Sequence, residues 1–225
     1  MTIDLDHLFT FTSVGAPEVE QLVKFGLSEG QPNTHPGQGT ACRRFFFHNA
    51  YLEFVWVHDE QEAAGEWVRP LGFRERSAYQ QTGASPFGII LRPAQGKADQ
   101  IELPFATWAL HPPYLPEPLK LDVADNSVDT AEPLLFYMSF GNRADRYSGE
   151  RRQPLAHAIG FKEITGISIT LPGAQASSKA LQAVERSGLA RVISGPSHLA
   201  EVIFDHEKHA QTKDFRPELP LLFRW

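Results

Sequence analysis

The stretch Gly37–Asp59, GQGTACRRFFFHNAYLEFVWVHD, decides the fold class. Its second part alternates, with Tyr51, Glu53, Val55 and Val57 on one face of a strand and Leu52, Phe54 and Trp56 on the other. Exposing the first set would leave Tyr51, Val55 and Val57 in water, so both faces read as covered. Glu53 then faces a dry interior, which is costly for a carboxylate unless it is paired, hydrogen-bonded or bound to a metal. Upstream, Phe45 and Phe47 point one way and Phe46 the other, so one set packs the core and the other lines a concave face. The chain turns at His48-Asn49 between the two strands.

Working outward, residues 30–40 are a Gly/Pro/Asn/Thr-rich loop with room for one short strand. Before it, APEVEQLVKFGL predicts a helix: Pro17 suits the first turn, Glu18 and Glu20 favour the positive end of the dipole, and Gly26 is the stop. LDHLFTFT, from Leu5, is a strand with His7, Phe9 and Phe11 on one face. The order β-α-β-β-β recurs in EITGISITL, the Ser-capped helix SSKALQAVERSGL, and the strands ARVIS, LAEVIF and LPLLFRW. The two helices end alike, in Lys24-Phe25-Gly26-Leu27 and Arg186-Ser187-Gly188-Leu189, which points to an internal duplication.

The expected fold is therefore α+β, a single unit over residues 1–225 built from paired βαβββ modules. The first module covers about 5–58 and the second about 162–225. Between them, about 59–161, FGIILRP, ATWAL and LLFYMSF are strands added to the shared curved sheet, separated by proline-rich turns. GNRADRYSGERRQP marks the boundary of the second module and is the candidate mobile loop.

Composition narrows the function classes. Lys and Arg number 21 against 27 Asp and Glu, a net charge of -6, and the only basic doublets are Arg43-Arg44 and Arg151-Arg152. That is no footprint for a nucleic acid backbone. Cys42, the only cysteine, excludes an intramolecular disulfide and a Cys-rich zinc site. The start, MTIDLDHLFTF, lacks the basic residues of a secretory signal, and no apolar run approaches the ~20 residues of a membrane span. The expectation is a soluble, cytoplasmic protein.

His7 and Glu53 stand in similar mixed company on two strands, and a neutral imidazole with a carboxylate suits Zn, Ni, Mn or Fe(II). Two ligands do not make a site, and the reading the residues favour on their own is a buried, mutually hydrogen-bonded pair without metal. His198, Glu201, His206, Glu207 and His209 cluster near the end, but HEKH lacks the spacing of a helical HExxH site and reads as a solvated turn. GASPFG is not a nucleophile elbow, and GQGTAC lacks the third glycine of a dinucleotide fingerprint. Phe87, Trp108 and Tyr114 either wall a pocket or pack a core.

DHLFTF, HPGQGTACRRFFFHNAYLEFVWV, SPFGIILRP, FATWALHPPYLP and DFRPELPL resemble the bacterial glyoxalase-like domain proteins of the vicinal oxygen chelate superfamily, which includes glyoxalase I, extradiol dioxygenases and bleomycin-resistance proteins. The resemblance implies half-barrels enclosing a pocket, with a divalent metal held in some members by a first-strand histidine and a fourth-strand glutamate, here His7 and Glu53. It implies a second ligand pair from the other module. There the chain departs, with Gly166, Ile167 and Ser168 where a histidine is wanted and no carboxylate in LPLLFRW; Glu201 and His157 are the nearest alternatives. Cys42 stands where relatives are expected to carry asparagine.

Three functions remain open. One is a metal-dependent lyase, isomerase or dioxygenase acting on vicinal oxygens, with Glu53 as ligand or base. The second is a metal-free protein that binds or sequesters a small molecule, and the third an acid-base isomerase or lyase. The pocket is expected to be lined by Arg44, Phe46, His48, Phe87, Trp108 and His111, with Arg44 selecting anionic or carbonyl oxygens. The expected partners are a small molecule and a second copy of the chain in a homodimer, with no nucleic acid and no membrane.

Overall fold

The structure, a computed structural model, describes residues 3–94, 101–173 and 177–225. Strand β1 (Ile3–Phe11) is followed by a 3-10 turn at Pro17–Val19 and helix α1 (Glu20–Phe25), which Gly26 ends in the left-handed conformation at φ 111°. Then come β2 (Asn33–His35), β3 (Thr40–Phe46) and β4 (Tyr51–Val57). This is the βαβββ order read from the sequence.

The middle of the chain holds more than strands. Asp59 caps α2 (Glu60–Ala63) by accepting from the amides of Gln61 and Glu62, and α3 (Phe73–Ser77) and α4 (Tyr79–Thr82) follow. Strands β5 (Phe87–Pro93), β6 (Thr107–Leu110), β7 (Leu121–Ala124) and β8 (Leu134–Tyr137) come next. The boundary segment after them contains 3-10 turns at Ala144–Arg146 and Gly149–Arg151.

All eight of these strands form one mixed sheet in the order β2-β3-β4-β1-β5-β8-β7-β6. β1 runs parallel to β4, β5 runs parallel to β8, and β1 meets β5 antiparallel at the centre. The sheet thus has two halves of one plan, a first strand flanked by its fourth and then by its third and second. The strands of residues 87–137, rather than those of the C-terminal segment, continue the sheet of the first module. The pairing expected from the repeated helix ending is corrected here, because β5 is buried on both faces and takes a partner along each edge.

The C-terminal segment makes its own sheet from β9 (Ile164–Pro172), β10 (Arg191–Gly195), β11 (Leu199–Phe204), β12 (Thr212–Asp214) and β13 (Leu221–Arg224), in the order β10-β9-β11-β13-β12. Helix α5 (Lys179–Arg186) is capped by Ser178, whose hydroxyl accepts from the Leu181 amide at 3.1 Å. Neither sheet closes into a barrel.

Alternation sorts the core into two layers. Leu8, Phe45, Leu52, Phe54, Ile89 and Leu91 leave the back of the large sheet and pack with Ile167, Val202, Phe204 and Phe223 of the small one, so residues of the first and last segments share one core. The concave face carries a second cluster that includes Phe9, Phe11, Val55, Ile90 and Phe136, covered by Phe73 of α3. Among the described residues no helix is long and apolar enough to cross a membrane.

Candidate functional site

The concave face encloses a cavity of about 640 Å³. Its floor is built by alternate residues of adjacent strands: Arg44 from β3, Tyr51 and Glu53 from β4, His7 and Phe9 from β1, and Ile90 from β5. Strand β2 with the turn that follows it to Gln38, and Tyr114 with Leu115, form its rim. Tyr114 is tied across the opening by its hydroxyl, which donates to Gln38 Oε1 at 3.0 Å.

Glu53 and His7, brought together from β4 and β1, are both buried. His7 Nε2 lies 3.5 Å from Glu53 Oε2, and its ring stacks on Tyr51 with centroids 4.1 Å apart. The other ring nitrogen, Nδ1, is 2.7 Å from Oδ1 of the buried Asp6. A register shift between Leu5 and His7 where β1 meets β5 accompanies this Asp6-His7 contact. Glu53 Oε1 in turn accepts the thiol of Cys42 at 2.8 Å.

These contacts set the charge states. Burial opposes the ionised form of Glu53, but the hydrogen bond and charge of His7 outweigh it and bring the pKa down to about 2. Burial likewise lowers the pKa of His7, and the hydrogen bonds to Asp6 and Glu53 overcome that and raise it above the ordinary value. Burial and the neighbouring Glu53 push the Cys42 thiol up, so Cys42 is a neutral donor. Burial lowers the pKa of His35. Its Nδ1 lies 3.0 Å from Thr40 Oγ1.

Of the residues proposed from sequence, His7, Arg44, Glu53 and Tyr114 line the cavity. Arg44 is half-buried; its Nε donates to the Gln31 carbonyl at 2.9 Å and its Nη2 to that of Pro32 at 3.3 Å. The other five do not line it. Phe46 packs beside Tyr51 at 4.8 Å, beneath Gly30, where a Cβ would strike its ring. His48 sits in the β3–β4 turn, donating its amide to Lys162 and accepting that of Asp145. Phe87 faces the core between the sheets because it alternates with Gly88 on β5. Trp108, on the edge strand β6, donates Nε1–H to Ser127 at 3.2 Å, and His111 is exposed.

The C-terminal candidates assemble no site among the described residues. His206 and His209 are exposed, Glu207 pairs with Arg224, and Glu201 lies 3.5 Å from Arg224. His157 spans two backbone groups, the Ser28 amide and the Phe46 carbonyl.

The second ligand pair that the resemblance implies would fall on β5 and β8, the counterparts of β1 and β4 in the sheet order. Ile90 is the direct partner of His7, and Met138, just beyond β8, hydrogen-bonds through its amide to Leu91. Both line the cavity, so a two-sided ligand set does not fit this chain. A one-sided set does: ligand atoms of His35, Cys42 and Glu53, on three adjacent strands, all lie within 4.8 Å of one another. Imidazole, thiol and carboxylate together match borderline cations such as Zn or Fe(II). Sequence reading missed His35 and Asp6; the alternation that put Cys42 on the face of Arg44 was the available signal for the third donor.

The sequence matches the family described as glyoxalase-like domain over residues 5–185. No curated protein matches. Among solved structures, the crystal structure of a hypothetical protein from Staphylococcus aureus aligns over 99% of this chain and 99% of that one, with a TM-score of 0.51 and 10% identity. At that identity the likeness is one of fold. With a family match across both halves of the large sheet, the chain belongs to the glyoxalase-like domain family of the vicinal oxygen chelate superfamily.

Proposed function

We propose that the protein binds a small oxygen-bearing molecule in the concave cavity and acts on it as a lyase or isomerase, with Glu53 as the proton acceptor. The observation that carries this reading is an ionised carboxylate aimed into a largely apolar cavity, held from one side by Cys42 and from the other by His7. Glu53 would take a proton from a carbon beside a carbonyl, and His7, held by Asp6, would supply a proton to the developing oxyanion. Phe9, Ile90 and Phe136, which line the cavity, would limit the access of water to the reacting atoms.

A second reading, a divalent cation in the same cavity, is favoured by the convergence of His35, Cys42 and Glu53. Those three would hold it, and it would supply Lewis-acid polarisation of adjacent substrate oxygens. Glu53 would then serve as ligand, leaving His7 beside it as the proton carrier.

The test uses protein purified without chelator. Metal content is measured first, and then the exchange of α-protons of 2-oxo and 2-hydroxy acids and ketones in D2O is followed by proton NMR. Glu53→Gln is expected to keep the fold and to lose at least a hundredfold in catalysed exchange. Exchange as fast in the variant as in the wild type would overturn the assignment of Glu53. Stoichiometric Zn or Fe(II) that disappears in His35→Ala and Cys42→Ser would establish the cation reading.

A further inference from the structure

The walls of the cavity are chemically unequal. Every titratable or amide group that lines it, from His7 and Asn33 to Arg44 and Glu53, comes from the first half of the sheet and its loop, apart from the rim residue Tyr114. The second half contributes Ile90, Leu121, Phe136 and Met138, hydrocarbon or thioether in each case. A ligand that fills the space must therefore be polar on one side and apolar on the other.

Arg44 defines the polar end. Its neighbour Arg43 points to the opposite face and is neutralised by Glu29 at 2.6 Å and Glu20 at 2.7 Å. Arg44 has no such partner: among the described residues no carboxylate lies within 4.0 Å of it, although Glu53 is its backbone partner across β3 and β4. Two neutral carbonyls fix the guanidinium, and the Phe46 ring lies 5.2 Å below its central carbon. The remaining donors are held on the cavity wall with no counter-ion, an arrangement that gains most from an incoming anion. Glu53 on the same cross-strand row opposes a second negative charge, which favours a carboxylate over a phosphate dianion.

We infer that the ligand is an amphipathic carboxylic acid, its carboxylate on Arg44 and its aryl or branched alkyl body against the wall formed by Ile90, Phe136 and Met138. This rests on the small-molecule reading of the cavity given above and names the class of molecule it takes.

The experiment is calorimetric titration of the full chain with 3-phenyllactate, its methyl ester, and lactate. Phenyllactate is expected to bind at least tenfold more tightly than either the ester, which lacks the charge, or lactate, which lacks the apolar body. Arg44→Met should abolish the preference for acid over ester by weakening the acid far more than the ester, and Arg44→Lys should restore part of it. Equal binding of acid and ester by the wild type, or no binding of the acid, overturns the inference without recourse to a variant. Glu53→Gln separates the two conclusions. Undiminished proton exchange in that variant removes the proposed reaction and leaves the carboxylate preference standing, whereas loss of exchange with no acid preference does the reverse.

Discussion

Ile90 is the cross-strand partner of His7, so the central strand pair of the large sheet presents an imidazole on one strand and hydrocarbon on the other. Restoring symmetry should create a ligand set. The double variant Ile90→His, Met138→Glu is expected to raise affinity for Zn or Ni at least tenfold, read by competition with a chelating dye. Unchanged affinity would mean that the two halves of the sheet do not converge on one point.

Stability should fall on both sides of a plateau as pH is varied. The carboxyl of Glu53 titrates at about 2 in the folded chain against an ordinary 4.5, so its contribution is present above the ordinary range and is lost as pH falls towards 2. His7, raised above 6.5, contributes fully below 6.5 and loses that contribution as pH climbs through its elevated pKa. Melting temperature against pH should therefore decline at both ends. In Glu53→Gln the acid limb should flatten and the alkaline limb should move to lower pH.

Arg76 is completely buried and donates to five backbone carbonyls, those of Leu71, Ser85, Asp129, Thr130 and Glu132. Burial brings its pKa down to about 10, still charged at neutral pH. Arg76→Met would leave those carbonyls without their donor. It should cost on the order of 3–5 kcal/mol in urea denaturation, as for a disrupted buried charge network. Because Arg76 anchors α3, the variant should also loosen Phe73 at the cavity edge. A loss under about 1 kcal/mol, the worth of a single ordinary hydrogen bond, would contradict this role.

Gly88 is required by Phe9, whose ring lies where a Cβ would stand. Gly88→Ala should drive that ring up into the cavity and cost roughly 1–3 kcal/mol. Adding Phe9→Leu should recover most of the loss. A double variant no more stable than Gly88→Ala alone would place the strain elsewhere.

Local structure was legible in the sequence wherever one residue or one face decided it. The alternation from Tyr51 to Val57 put Tyr51, Glu53, Val55 and Val57 on one face, of which the first three line the cavity, and Gly26 and Ser178 marked helix ends that the structure contains. Strand partnership was not legible, because the apolar run FGIILRP announces a buried strand without saying which neighbours it takes. The match between Gly26-Leu27 and Gly188-Leu189 drew the second module towards the C-terminus, while β5 to β8 completed the sheet with no equivalent helix ending. His35 and Asp6 were hidden for related reasons. One sits on a three-residue strand inside a loop, and the other beside a register shift that alternation does not anticipate. Trp108 and His111 were placed on the pocket by composition alone, and the edge position of β6 takes them away from it.

The one-sidedness of the cavity has a stereochemical consequence. A prochiral carbon seated between the two walls would present only one enantioface to Glu53, while the other rests against Ile90 and Phe136, which carry no exchangeable proton. Proton removal and return would both occur on that face. A centre handled in this way keeps its handedness through any number of exchanges, so the chain would label a chiral substrate with deuterium without racemising it.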